Sequence, residues 1–227
     1  MKEIHWLFFD VGSTLVNEEK AYKDRIEQAI ADTNISYAAF YQTMNHYFKE
    51  NKKGDAEALN DYGLKRPSWR SDLKVLYPDC KQVLKTLHQH YKIGIIANQL
   101  PNLQARLRRF GIDSWIDLVI SSADVGLAKP DFAIFELAFQ QANYLAEHAV
   151  MIGDRLDNDI LPAKQLGMQT IWIRQGFSHL NHITNPAETP DWTIDNLTEI
   201  LEILGLACKK LELFRSSFFN VINFIIS

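Results

Sequence analysis

The sequence has only two cysteines in 227 residues, Cys80 and Cys208. They stand far apart, and neither forms a CxxC pair or a spacing with histidine that is typical of zinc ligands. A disulfide framework and a thiolate zinc site are therefore both excluded as the basis of the fold. Because sparse, unpaired cysteine is typical of a reducing compartment, we expect the protein to be cytoplasmic.

Long apolar segments are also missing. The N-terminal apolar run over residues 4–9 ends at Asp10 and is too short for a secretion signal or a membrane-spanning helix. Residues 216–227 carry no charge and are rich in phenylalanine and isoleucine, but this tail is again too short to span a bilayer. We expect the tail to dock on the core, and a contact with a partner or in a homodimer is the next interpretation.

Neither sign of charge dominates the chain. It has 24 basic and 28 acidic residues, which gives a formal net charge of −4 with both signs scattered along the sequence. A broad basic surface for nucleic acid is therefore not expected. The sequence also has no nucleotide-binding loop of the GxxxxGKS or GxxxxGKT type. Any anion that the protein binds must be held by a local site.

Short apolar runs recur along the chain at residues 4–9, 93–97, 118–120, 149–152 and 170–173. From about residue 80 onward, the segments between these runs have the apolar spacing of helices. This alternation predicts an α/β fold, with a parallel sheet as its core and helices on both faces. Ligands of such sheets bind at the carboxyl ends of the strands, so the polar residues that end each run are the first candidates for a functional site.

Residues 18–63 lack strand-like alternation and carry two helical stripes of apolar residues, at 22–30 and 37–48. The second stripe follows Ser36, a residue typical of helix N-caps. The sequence therefore predicts an all-helical insert between the first two strands. The predicted organisation is a core of residues 1–15 and 78–204, an insert of residues 16–77 and an apolar tail of residues 205–227.

Three aspartates stand at the ends of predicted strands: Asp10 after the first, and Asp154 and Asp159 after the fourth. Carboxylates that meet at one sheet edge repel each other, so a stable arrangement needs a cation. Oxygen ligands of this kind suit Mg²⁺, which also accepts phosphate oxygens of a substrate. Lys129 follows the third strand and adds a positive charge at the same edge.

These residues resemble the motifs of the haloacid dehalogenase-like hydrolases, in particular the subgroup with a helical cap inserted between the first two motifs. The segment 8–15 is similar to the first motif, an apolar strand followed by Asp-x-Asp-x-Thr. Lys129, in a Lys-Pro pair, resembles the lysine of the third motif. The segment 153–159, with its Gly-Asp and Asn-Asp pairs, resembles the fourth. The resemblance covers about residues 4–201 and implies a Rossmann-like core with the insert as its cap.

The resemblance implies that Asp10 is the nucleophile that attacks phosphorus and forms an aspartyl-phosphate. It also implies that Mg²⁺ is held by the side chains of Asp10 and Asp154 and by the backbone carbonyl of Gly12. Lys129 would neutralise the nucleophile and the transferring phosphoryl group. Asp159 would orient Lys129 or a metal-bound water.

The implied phosphate-binding residues are Thr14, which would also brace the loop of the first motif, and Asn98 and Gln99 after the second strand. Two positions depart from the family pattern. Gly12 stands where most phosphatases of the family have a second Asp as general acid and base, a contribution of about 10²–10⁴ in rate. Ala97 stands where a Ser or Thr hydroxyl usually binds phosphate. The expected replacements are the backbone amides of Asn98 and Gln99 and the side-chain amide of Asn98.

Small residues at the position of Gly12 also occur in this family among phosphonate hydrolases and dehalogenases. A phosphonate hydrolase would need a cap lysine for a Schiff base, and the candidates are Lys20, Lys23, Lys52 and Lys53. A dehalogenase would leave Asp154 without a metal to bind. The alternative from another class is a non-catalytic or regulatory protein that keeps the fold and binds a phosphorylated ligand.

The retained charged groups favour an enzyme, and we expect a Mg²⁺-dependent phosphatase that acts on a small phosphorylated metabolite. Its specificity should come from the insert, where the candidates for the cleft are Lys65, Arg66, Trp69 and Arg70. Surface charge and a packed tryptophan are the equally open interpretation of those four residues. If the missing carboxylate limits the enzyme, Gly12→Asp should favour alkyl over aryl phosphates, provided that the backbone there admits a side chain.

Overall fold

The computed structural model describes residues 3–206. The strands are β1 (Trp6–Phe9), β2 (Val16–Asn17), β3 (Val75–Leu76), β4 (Lys92–Ala97), β5 (Leu118–Ser121), β6 (Ala149–Gly153), β7 (Gln169–Ile173) and β8 (Trp192–Ile194). The α-helices are α1 (Glu19–Ile30), α2 (Tyr37–Lys49), α3 (Gly54–Asp61), α4 (Cys80–Leu87), α5 (Leu103–Phe110), α6 (Ser122–Val125), α7 (Phe132–Ala142), α8 (Leu161–Gln165) and α9 (Glu199–Ile203).

Six of these strands form one sheet in the order β5-β4-β1-β6-β7-β8, and every neighbouring pair is parallel. This is the doubly wound arrangement, so the predicted α/β fold with a Rossmann-like parallel sheet is confirmed. Each of the five predicted strands is present within two residues of its predicted bounds. Strand β8 was not predicted, because three residues with a threonine in the middle are too few to show a strand pattern.

Strand β1 is buried on both faces, as the centre of a parallel sheet requires. Leu7 and Phe9 belong to a buried apolar cluster that includes residues of α4 and α5. Trp6 and Phe8 belong to a second cluster that includes residues of α7. Helices therefore cover both faces of the sheet, and the polar ends of the strands are the part of the sheet left for binding.

The chain leaves the sheet region through β2 and returns through β3, and these two strands form an antiparallel ribbon. Between them, α1 and α2 lie where the two apolar stripes predicted helices. The Ser36 side chain accepts a hydrogen bond from the Ala39 backbone N–H at 3.1 Å, as expected for an N-cap. Helix α3 was not predicted. Buried side chains of the three helices form an apolar cluster of their own, which includes Ile26, Phe40 and Met44.

A loop of the core, residues 176–182 after β7, contacts this helical insert. Phe177 stacks on Phe48 of α2 with the ring centroids 4.6 Å apart. Asn181 Nδ2 donates to the Phe48 carbonyl at 2.7 Å, and Asn51 Nδ2 donates to the His182 carbonyl at 2.7 Å. These contacts hold the insert over the carboxyl edge of the sheet.

The domain bounds stay predictions. Most of the apolar tail, including residues 216–227, lies outside the described residues, so a docking, partner or homodimer contact through it also stays a prediction. In the described range, 3–206, none of the helices has the length and apolar character needed to cross a membrane.

Gly94 of β4 lies directly against Phe8, and a Cβ at this position would lie 2.3 Å from Phe8 Cε1. Phe8 is almost fully buried and stacks on Trp6, so its ring has little room to move. We expect Gly94→Ala to lower the free energy of unfolding by about 1–3 kcal/mol through overpacking, measured by urea denaturation. In the double variant with Phe8→Leu the loss should be smaller than the sum of the two single losses. An unchanged urea midpoint for Gly94→Ala would contradict this packing.

Candidate functional site

A cavity of about 540 Å³ lies between the insert and the carboxyl edge of the sheet. Strands β1 and β6 are neighbours in the sheet although they are far apart in sequence. Asp10 and Asp154, which follow these strands, therefore come together where the strand order reverses. Lys129 and Asp159 also line the cavity. The structure thus brings together the four charged residues that the sequence singled out.

Lys129 is the centre of this charged cluster. Its Nζ donates to Asp10 Oδ1 at 2.7 Å and to Asp159 Oδ1 at 2.6 Å, and the residue is only 4% exposed. Burial disfavours the charged amine, but the two carboxylates outweigh this effect and raise the pKa of Lys129 above its ordinary value. Lys129 therefore remains a cation, and its contact with Asp10 uses a single carboxylate oxygen.

Asp159 lies on a π-helical turn, Leu156–Ile160, that follows β6. Its Oδ1 contacts Lys129, and its Oδ2 accepts the backbone N–H of Arg155 at 2.9 Å. A Cβ on Gly153 would lie 2.3 Å from Oδ2, so only glycine leaves room for this carboxylate. Burial, opposed by the charge of Lys129, raises the pKa of Asp159 to about 6. With both oxygens bound, Asp159 holds Lys129 in place.

Asp154 differs from its neighbours because its carboxylate forms no hydrogen bond or ion pair within residues 3–206. Burial, together with the charges of Asp10 and Asp159 and against the charge of Arg155, raises the pKa of Asp154 well above its ordinary value. A buried carboxylate without a partner beside a second one fits a divalent cation with oxygen ligands, such as Mg²⁺. Within residues 3–206 there is no cluster of three or more His, Cys, Asp or Glu side chains suited to a metal, and the backbone oxygen of Gly12 stays a predicted ligand.

The polar residues after β4 support the lysine loop. Asn98 Nδ2 donates to the Lys129 carbonyl at 2.7 Å, and Asn98 Oδ1 accepts the Lys129 backbone N–H at 2.8 Å. The Gln99 backbone N–H donates to Ser122 Oγ at 3.1 Å. Asn98 and Gln99 line the cavity, but two of the predicted phosphate donors, the Asn98 amide and the Gln99 N–H, already have protein partners. The side chain of Asn98 therefore positions Lys129.

Thr14 is the predicted phosphate-binding residue that the structure places away from the cavity. It is fully buried, and its hydroxyl has no hydrogen-bond partner in the described part of the chain. The preceding residue, Ser13, has a positive φ of 54° and lines the cavity in its place. This position does not allow Thr14 to contact a phosphate, because the turn at Ser13 directs Thr14 into the protein interior.

The cavity wall also contains charged residues that were not predicted from the sequence, among them Glu18, just before α1, and Lys74, just before β3. Glu18 and Lys74 form an ion pair, and their side chains are 12% and 7% exposed. The Glu18 carboxylate lies against Gly12, where a Cβ would be 2.9 Å from Oε2. Their position in the sequence is the signal that could have identified them. Glu18 directly follows β2 and Lys74 directly precedes β3, the two short strands that connect the insert to the core.

Of the four hinge residues proposed for the cleft, Arg66 and Trp69 line the cavity. Lys65 is exposed and is not part of the cavity wall. Arg70 is also outside the wall and pairs with Asp72 at 2.6 Å. Half of this set therefore faces the site, and the other half is surface charge.

Of the four lysines proposed for a Schiff base, only Lys53 lines this cavity. Lys52 points to a surface partner, Glu50, at 2.7 Å. Lys20 and Lys23 are exposed on α1 and do not reach the wall. Lys53 is thus the member of the set that can meet a bound ligand.

Comparison with known proteins identifies the family. The family model of the haloacid dehalogenase-like hydrolases matches residues 4–167, which include segment 8–15, Ala97, Lys129 and segment 153–159. The chain belongs to the haloacid dehalogenase-like hydrolase family. It is therefore a hydrolase, and the motif resemblance seen in the sequence is confirmed.

This haloacid dehalogenase-like hydrolase is similar to curated enzymes along most of its length. It is 28% identical over 225 residues to the pyrimidine 5'-nucleotidase YjjG of Escherichia coli K12, a match that covers 88% of this chain and 97% of the relative. It is 31% identical over 194 residues to a glyceraldehyde 3-phosphate phosphatase of Pyrococcus abyssi, covering 75% and 81%. The magnesium-bound crystal structure of the HAD-hydrolase YfnB of Bacillus subtilis has a TM-score of 0.68 at 23% identity, covering 91% of this chain and 100% of that one, which shows the shared fold.

In this haloacid dehalogenase-like hydrolase, Asp154→Asn removes the carboxylate without a partner. Without Mg²⁺ at neutral pH, we expect the free energy of unfolding to rise by about 1 kcal/mol, since a buried carboxyl with a raised pKa destabilises the fold at pH values above the ordinary pKa of an aspartate. With Mg²⁺ at about 100 times its Kd, the unmodified protein should gain about 2.7 kcal/mol, and the variant much less. Thermal unfolding with and without Mg²⁺ measures both effects.

Asp157→Asn is the matched control, because Asp157 lies in the same loop but is exposed and pairs with Arg155. This control should keep the full gain in Tm with Mg²⁺. If Asp154→Asn also kept that gain, Asp154 would not be a metal ligand.

Proposed function

We propose that this protein is a Mg²⁺-dependent phosphatase that hydrolyses small phosphate monoesters through an aspartyl-phosphate on Asp10. The observation that carries the proposal is the buried contact of Lys129 with Asp10 and Asp159, beside the unpartnered carboxylate of Asp154. This arrangement gives Asp10 a fixed cation on one side and room for a divalent cation on the other. A phosphoryl group that approaches Asp10 is thereby met by positive charge.

In the first step, an oxygen of Asp10 attacks phosphorus, the bond from phosphorus to the ester oxygen breaks, and the ester oxygen takes up one proton and leaves as the alcohol. In the second step, water attacks the aspartyl-phosphate and gives up one proton, which restores the Asp10 carboxylate, releases inorganic phosphate and replaces the proton used in the first step. Lys129 stays beside Asp10 in both steps and offsets charge on the phosphoryl oxygens. Mg²⁺ held by Asp10, Asp154 and the Gly12 carbonyl would supply further positive charge to these oxygens.

The size and charge of the cavity support a small anionic substrate. Its volume of about 540 Å³ is typical of sites for small molecules. The insert contributes Arg25, which pairs with Asp55 at 2.6 Å and lies 4.2 Å from the ring centroid of Trp69. Arg66 also contacts Asp55, but its side chain is 58% exposed and is available to a ligand. The substrates in the names of the two curated relatives, a pyrimidine nucleotide and glyceraldehyde 3-phosphate, belong to the same class of small phosphate esters.

A phosphonate hydrolase is the second candidate, favoured by the exposed amine of Lys53 in the cavity wall. Such an enzyme would form an imine between this amine and a carbonyl group of the substrate, with loss of water. Borohydride reduction in the presence of a carbonyl phosphonate would then attach the substrate to the protein, and Lys53→Arg would prevent this. Hydrolysis of phosphate esters without such labelling supports the phosphatase.

Asp10→Asn replaces the proposed nucleophile by an amide. We expect the hydrolysis of an aryl phosphate in the presence of Mg²⁺ to fall by at least about 10³-fold, because an amide oxygen does not form the covalent intermediate. The measurement is the release of the phenol by purified protein, with and without Mg²⁺, and circular dichroism verifies the fold.

Asp124→Asn is the control, because Asp124 is an exposed aspartate at the same edge of the sheet, in α6. It should keep the activity of the unmodified protein. Residual activity of Asp10→Asn near that level would remove Asp10 from the mechanism. An unmodified protein that hydrolyses no phosphate ester with Mg²⁺ would instead favour the non-catalytic binding protein.

A further inference from the structure

The carboxylate of Glu18 occupies the space in front of Gly12. A Cβ built on Gly12 would lie 2.9 Å from Glu18 Oε2 and 3.0 Å from Oε1, so a side chain at position 12 and this carboxylate exclude each other. Gly12 is not one of the glycines with positive φ in the described chain, so its backbone would admit a side chain if Glu18 were elsewhere. The family pattern has a second Asp at position 12. In this chain, the carboxylate of Glu18 occupies the space next to Gly12 instead.

Proton transfer during phosphate ester hydrolysis needs an acidic side chain that is not the nucleophile, is not a metal ligand and does not have both oxygens bound within the protein. Five carboxylates line the cavity. Asp10 and Asp154 serve as nucleophile and metal ligand under the proposed function, and both oxygens of Asp159 are bound within the protein. Asp55 is paired through Oδ2 with two arginines, Arg25 at 2.6 Å and Arg66 at 3.3 Å. Glu18 is paired with one cation, Lys74, through Oε1, and its Oε2 lies closest to Gly12, two residues after the proposed nucleophile.

We infer that Glu18 is the general acid and base of this enzyme, an inference that rests on the proposed phosphatase function. In the first step, a proton held by the Glu18–Lys74 pair passes through Glu18 to the ester oxygen as the bond from this oxygen to phosphorus breaks. In the second step, the Glu18 carboxylate accepts a proton from the water that attacks the aspartyl-phosphate. The two steps consume one ester and one water, release one alcohol and one phosphate, and return the proton to the pair.

The ribbon of β2 and β3 explains how Glu18 is held in position. Val16 pairs with Leu76 and Asn17 with Val75, so Glu18 and Lys74 are the next residues in the same antiparallel register. Both side chains are about nine-tenths buried, and their ion pair fixes the carboxylate at the point where the chain enters the insert. A buried ion pair on a short paired ribbon leaves the Glu18 side chain little freedom to turn away from the cavity.

Glu18→Gln keeps the shape of the side chain and removes its transferable proton. With an aryl phosphate, the first step needs no proton donor, so we expect a burst of about one equivalent of phenol, followed by turnover slowed by about 10²–10⁴-fold. Protein phosphorylated on Asp10 should accumulate and be visible by intact-protein mass spectrometry. With an alkyl phosphate, both steps need Glu18, so we expect the same slow turnover without a burst.

Lys74→Met tests whether the ion pair merely holds the ribbon together. This variant breaks the same pair but keeps the carboxylate, so it should lower the rates on aryl and alkyl phosphates in similar proportion and accumulate no phosphoprotein. If Glu18→Gln behaves in the same way as Lys74→Met, the pair is structural and the inference is wrong.

Moving the carboxylate to position 12 gives a second test, which applies even if Glu18→Gln fails to fold. Gly12→Asp alone forces two carboxylates into one space and should lower the activity on both substrates. The double variant Gly12→Asp/Glu18→Ala should hydrolyse alkyl phosphates at least about 10-fold faster than Glu18→Ala alone, since an acidic group again occupies the space. A double variant no faster than Glu18→Ala overturns the inference.

The outcomes separate this inference from the proposed function. An unmodified protein that hydrolyses neither substrate with Mg²⁺ overturns the phosphatase function and, with it, the role of Glu18. An active protein whose Glu18→Gln variant keeps the same rates on both substrates overturns only the role of Glu18.

Discussion

The contact of one buried lysine with two carboxylates is the interaction on which the site depends. Lys129 sits between Asp10 and Asp159 with almost no exposure to water, where an unpaired charge would cost several kcal/mol. Neighbouring residues support the contact of Lys129 with the two carboxylates. Asn98 binds both backbone polar groups of Lys129, and the missing side chain of Gly153 leaves room for Asp159. The chain segments that follow β5, β1 and β6 are thereby fixed to each other by charge.

The insert is tied to this charged cluster from two sides. On one side, the β2–β3 ribbon places Glu18 and Lys74 in the cavity wall. On the other, Phe177 and Asn181 of the loop after β7 contact α2. Because Glu18 and Lys74 belong to the connection itself, the pairing of β2 with β3 both joins the insert to the core and sets two charged groups of the cavity wall.

The sequence predicted those features that are local. Strands β1, β4, β5, β6 and β7 are continuous apolar runs, and the charged residues that end them meet because parallel strands bring their carboxyl ends to one edge. The ion pair of Glu18 with Lys74 was missed because it depends on the pairing of two strands of two residues each, separated by the whole insert. The position of Thr14 was missed for a related reason, since the positive φ of Ser13 has no signature in a serine.

The two departures from the family pattern therefore have different physical meanings. At Ala97 a hydroxyl is absent, and neither the Asn98 side chain, which binds Lys129, nor the Gln99 backbone N–H, which binds Ser122, replaces it. At Gly12 the absence is itself required, because the carboxylate of Glu18 fills the space that a side chain would take. A motif records which residue stands at a position, whereas proton transfer depends only on which group reaches the space. The missing side chain at Gly12 and the carboxylate of Glu18 therefore belong to one arrangement. It can be recognised only from the structure, because the β2–β3 ribbon places Glu18 beside Gly12.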